Sequence, residues 1–155
     1  VKESLDEHTG LTVTHLDKPL ALLRTAARGS SADPFVFLAP FETDRMGTRS
    51  IYLWLAVPAV EPIVEPPQVS VDEAGLEMRP IESVAGTGLS RSPYRKPAPW
   101  SVEFYYAVDA AQFARLARGT KIDAIVHYAE MGEQHFVLET ASVELAGFAD
   151  RVVAR

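Results

Sequence analysis

Arg91, Tyr94, Arg95, Lys96 and Trp100 are the side chains in this sequence best suited to gripping another molecule. Guanidinium forks hold carboxylate or phosphate bidentately, and flat rings supply contact area at low entropic cost. The five sit in or beside residues 83–99, a Gly- and Pro-containing stretch that loses apolar content. Residues 81–100 carry 3 basic and 1 acidic groups, against 7 and 12 in residues 1–80 and 5 and 8 in residues 101–155. The loop is therefore the locally positive part of an acidic chain. An anionic ligand, a glycan or a partner protein would suit it. The plainer alternative is a solvated loop whose charges keep it soluble. A connection of this length inside one domain is uncommon and is usually functional or disordered.

Other candidate chemistry is thinner. His127 and His135 flank one expected hairpin, and Glu130, Glu133 and Glu139 lie near them. Two imidazoles fall short of a metal site, which needs three or four ligands, so partly exposed strand residues are expected and no metal. His8 and His15 are the other histidines. Glu103 alternates with Tyr105 on a strand face, where a glutamate is usually solvated. Ser90, Ser92 and Ser101 lack a nucleophile elbow. Gly86-Thr87-Gly88 is followed by Arg91 where a dinucleotide fingerprint needs glycine, and no Gly-Lys ending follows, so ordinary turn chemistry is expected. Without cysteine there is no disulfide, thiolate site or cysteine nucleophile. No cofactor is implied.

The elements that must position these residues read mostly as strands. Leu11 to Thr14 alternates with period two, and Leu20 to Arg24 resumes the pattern after Asp17-Lys18-Pro19. Arg28 to Pro34 is a loop by composition. Phe35 to Glu42 and Arg49 to Val57 form a central hairpin over residues 43–48. In its second arm both faces are apolar, which predicts burial on both sides. Four prolines between Pro58 and Pro67 predict a stiff connector or irregular edge. Val69 and Val71 pair in pattern with Leu76 and Met78 across Glu73-Ala74-Gly75, the glycine taking the left-handed position. Val102 to Val108 is an aromatic strand.

Two helices come late. Asp109, with Gln112 three residues on, has capping-box spacing; Phe113, Leu116 and Ala117 give the apolar stripe, and Gly119 stops it. Ile122 to Ala129 and Gln134 to Glu139 form a last hairpin. Thr140 then caps a closing helix with Leu145, Phe148, Ala149, Val152 and Val153 on one face. Such helices can cover one face of a sheet or seal an edge.

These readings predict one domain over residues 1–155, with a polar tail at 1–10 and the long basic loop at 83–99. The expected fold is mainly β: a two-layer antiparallel sandwich, immunoglobulin-like in a loose sense, with two short helices in the last third. An α+β arrangement, with both helices on one open antiparallel sheet, is the alternative. Net charge of −6 argues against non-specific nucleic-acid binding. The apolar run from Ile51 to Val60 is broken by Pro58 and falls short of the ~20 residues of a membrane-spanning helix. A polar start at Val1 suits a mature chain that has lost an export signal, with or without a lipid anchor.

In composition, this short, acidic, cysteine-free, β-rich chain is similar to bacterial envelope lipoproteins. That resemblance implies a periplasmic or outer-membrane-anchored, non-catalytic binding or scaffold domain; a cytoplasmic location is the alternative. An envelope protein or an anionic ligand is the implied partner. The competing function is a small hydrolase-type enzyme using carboxylates and histidine in a cleft.

Overall fold

A computed structural model describes residues 1–24 and 35–152. The loop expected at 28–34 and the apolar Val153 lie outside these residues. Strands β1 (Lys2–Asp6), β2 (Leu11–His15), β3 (Leu20–Arg24), β4 (Phe35–Arg45), β5 (Thr48–Pro58), β6 (Gln68–Val71), β7 (Ala74–Gly75), β8 (Arg79–Ile81) and β9 (Ser101–Val108) precede the first α-helix. Helix α1 (Ala110–Arg118), β10 (Ile122–Tyr128), β11 (Gly132–Leu138) and α2 (Val143–Val152) follow. The molecule is mainly β with two short helices late in the chain, as its alternating patterns predict.

All these strands belong to one antiparallel sheet running β7-β6-β10-β11-β3-β4-β5-β9-β8. Strand β4 is long enough to serve two neighbours on one edge: Phe35 to Leu38 pairs with β3, and Phe41 to Asp44 pairs with β2. Strand β1 adds outside β2 and pairs with no other strand among the described residues.

The sheet is curled. Its terminal strands β7 and β8 are separated by only residues 76–78, so Gly75 and Arg79 stand within roughly 14 Å of each other. The Tyr106 hydroxyl on β9 donates to Pro67 O just ahead of β6 at 2.5 Å, tying the two ends together. From β10, Tyr128 donates to Pro58 O at the end of β5 at 2.7 Å. The layers expected of a sandwich are thus opposite walls of a single sheet. Leu22, Leu38, Leu55, Tyr106, Ala124 and Phe136 share the inner face and are buried. Phe113 of α1 and Phe148 of α2 meet edge to face at 5.5 Å and complete this core.

Local chemistry explains several boundaries. The β4–β5 connection is shorter than its expected six residues, because Met46 (φ 52°) and Gly47 (φ 91°) make a two-residue left-handed turn. Turns of that hand match the strand twist, and Asp44 Oδ1 accepts the Gly47 amide at 2.8 Å. In the β6–β7 hairpin the left-handed residues are Asp72 and Glu73, not Gly75, which pairs with Ser70. Asp72 holds that turn by accepting from the Thr120 hydroxyl (2.8 Å) and the Lys121 amide (2.9 Å). Asp109 caps α1 as its spacing predicts, accepting Gln112 N at 2.7 Å. Gly119 ends the helix in extended conformation, and a Cβ there would overlap Val71 Cγ1. The closing helix is capped by Ser142, which accepts Leu145 N at 3.1 Å, two residues after the expected Thr140.

Residues 1–10, read from composition as a polar tail, contain β1 and its turn. Pairing at a sheet edge needs main-chain groups, not apolar side chains, so composition is silent there. The proline-rich connector stays irregular but is tied to β10 through Val64 N to His127 O (3.0 Å) and Ala129 N to Pro62 O (2.9 Å).

Candidate functional site: a groove beneath a strap

Between β8 and β9 the chain crosses the outer face of β4, β5 and β9. On that face stand Phe41, Tyr52, Trp54 and Tyr105, which in-register pairing places side by side. Uncovered, they would present a large apolar patch to water. Residues 82–100 cover it as a strap that opens with a short 3-10 turn, Val84–Thr87. Leu89 and Tyr94 are its buried anchors. The Tyr94 ring lies against Trp54 at 5.1 Å and meets Phe41 and His15 edge-on. Its hydroxyl accepts Leu16 N at 2.9 Å and donates to Pro40 O. Burial pushes this phenol well above its ordinary pKa, so it keeps its proton and its donor role.

Four residues before Tyr94 the strap is clasped by Asp6, the last residue of β1. Its carboxylate accepts Ser90 N at 2.7 Å and the Ser90 hydroxyl at 2.9 Å. The Ser90 amide, with its hydroxyl, holds the Asp6 carboxyl below the usual range, so the clasp stays ionised.

Between clasp and anchor runs an open groove of about 980 Å³, at the top of the ~300–1,000 Å³ usual for ligand clefts. Ser4 to His8 line one wall and Leu89 to Arg95 the other; Val13, His15 and Tyr94 also face it. Arg91 and Arg95 both stand on the strap wall, exposed, and neither has an ion-pair partner among the described residues. Tyr94 orders the strap from beneath. Lys96 and Trp100 lie outside the lining: both are exposed, and Trp100 O accepts Ala59 N at 3.2 Å. The groove thus unites three of the five residues singled out from sequence. Asp6, Ser90 and His15 were not among them; their one signal was β5, whose doubly apolar faces require a cover.

The histidines divide between two places. His15 Nδ1 sits 2.7 Å from Leu16 O, so the neutral ring carries its proton on Nδ1 and leaves Nε2 as acceptor. His127 and His135 share the outer face of the β10–β11 hairpin with Glu133 between them, at 4.0 and 3.4 Å. His135 Nδ1 meets Asp123 at 2.7 Å, which raises the imidazole pKa, Glu133 adding to the effect. Among the described residues no group of three or more histidines and carboxylates is arranged to hold a metal ion. Glu103 is not simply solvated: Trp54 Nε1 donates to it at 2.7 Å and the Tyr105 hydroxyl at 3.4 Å. No described helix is long and apolar enough to cross a membrane. Comparison with family models, curated proteins and solved structures finds no match to this chain.

Proposed function

We propose that this is a non-catalytic binding domain of the bacterial cell envelope that holds an anionic ligand in the groove between β1 and the strap. One observation carries the reading: two guanidiniums without ion-pair partners among the described residues stand on a cleft wall that is fastened at Ser90 and at Tyr94. A fastened wall loses little entropy when it grips, which favours affinity. Composition supports the envelope setting, and a hydrophobic segment ending in a small-residue-cysteine box upstream of Val1 is the corresponding check.

The test is fluorescence anisotropy with a labelled octapeptide alternating glutamate and threonine. Wild type binds saturably, Arg91→Glu/Arg95→Glu binds at least tenfold more weakly, and Lys96→Glu binds as wild type. No saturable binding by wild type, or equal binding by the double variant, would overturn the reading.

One observation favours the hydrolase-type alternative: His8, His15 and Glu7 border the same groove. It requires hydrolysis of a small ester or glycoside panel that His15→Ala abolishes.

A further inference from the structure

Resting on that groove assignment, we propose that the occupant is an extended acidic segment of a partner protein, which adds as a new strand to the free edge of β1. The pattern of lining residues points to this. From β2 the groove takes only Val13 and His15, alternate residues whose side chains rise from one face. From β1 and its turn it takes five consecutive residues, Ser4 to His8. Within β1 the run Ser4-Leu5-Asp6 includes neighbours whose side chains point to opposite faces, so the groove reaches the strand's edge; Glu7 and His8 belong to the turn beyond it. The groove is flanked by the backbone edge of β1, and that edge has no ladder partner among the described residues.

A row of free amides and carbonyls calls for an extended polypeptide, not a small anion. Charge says which kind. Lys2 is already matched by Asp17 at 2.8 Å, and Glu3 by Arg151 at 3.0 Å. Among the described residues Arg91 and Arg95 on the strap wall, and Glu7 on the opposite wall, have no ion-pair partner, so the added strand sets carboxylates against the strap wall. A second copy of β1 would bring Lys2, Glu3 and Asp6, each already partnered, and only Glu7 of the turn beyond it to answer two guanidiniums. Five strand residues at about 3.4 Å each span roughly 17 Å, room for five or six residues of the partner.

The test uses the same octapeptide in three forms: unmodified, N-methylated on every glutamate, and N-methylated on every threonine. In a strand, alternate amides face opposite sides, so only one set reaches β1. One methylated peptide is expected to bind at least tenfold more weakly and the other within about threefold of the unmodified form. Equal effects of the two methylations would overturn strand addition while leaving the arginine grip standing. If the unmodified peptide fails to bind, the groove reading falls and this inference with it. Sedimentation without peptide is the second measurement: a dimer that Arg91→Glu/Arg95→Glu leaves intact would give the edge to a second copy and overturn the proposal. A monomer is expected.

Discussion

Strands β7 and β1 both end a run of pairing, and the chain treats their outer edges in opposite ways. Over β7, helix α1 folds back so that Arg115 donates to Ala74 O at 2.9 Å and Gly75 O at 3.2 Å. Gln112 accepts Glu77 N in the next stretch at 3.0 Å. Those bonds satisfy the groups that would otherwise template another chain. At the far end of the sheet, β8 is three residues long and contains Pro80, a further deterrent. Strand β1 has five residues and no proline, and α2 reaches it through the exposed Arg151–Glu3 ion pair. A molecule that guards two edges and leaves a third beside unmatched arginines separates protection from recognition. Charged side chains on β1 keep its edge from indiscriminate pairing while admitting a partner of matching charge.

The most damaging way to break this contrast is to unseat the guard. Phe113→Ala removes the ring by which α1 packs on Phe148, and a cost of about 3–5 kcal/mol is expected in urea unfolding. Light scattering should rise as the β7 edge is bared.

Loosening the other side costs less. Tyr94→Phe leaves Leu16 N and Pro40 O buried without their partner, worth ~1–3 kcal/mol in the same assay. Peptide binding should weaken with it, because the wall carrying Arg91 and Arg95 is no longer pinned.

Arg115→Met sharpens the comparison further. It keeps most of the helix packing but frees two carbonyls, so a loss of about 1 kcal/mol should accompany more concentration-dependent association than wild type shows. Unchanged association would show that helix bulk alone protects β7.

The smallest effect belongs to His135, remote from both edges. Its pKa is raised in the folded state by the hydrogen bond to Asp123, so its stabilisation is present below the unfolded value of about 6.5 and is lost as pH rises through the folded pKa. Partly exposed and screened, the pair contributes under about 1 kcal/mol. Urea midpoints should fall from about pH 6 towards pH 9, and Asp123→Asn should flatten that slope.

What sequence reveals and hides follows the same division between faces and edges. Burial of β5 on both sides is legible because Leu53, Trp54 and Leu55 are apolar in succession, and all three are fully buried. The Asp109 cap is legible because one side chain must reach one amide three residues on. Strand β1 is hidden because an edge is made of main chain, and main chain carries no letter code. The turns at Met46 and at Asp72-Glu73 are hidden for a related reason: side chains with Cβ atoms take a conformation normally left to glycine, held by the local Asp44 carboxylate in the first and by tertiary bonds in the second. Composition marks residues 83–99 as unusual and basic. Only docking reveals that Tyr94 turns inward while Arg91 and Arg95 turn outward.

Pairing of β3 with β11 sets Arg24 opposite Phe136, 112 positions later (136 − 24). On a ribosome adding roughly 5–20 residues per second, the early strands therefore wait about 6–22 s for the neighbour that shields them. During that interval β2, β3 and the first half of β4 are hydrophobic and lack a wall, a substrate for holding chaperones. Synthesis speed through the middle of the message, as much as sequence at any one site, should set how much of this chain reaches its native form.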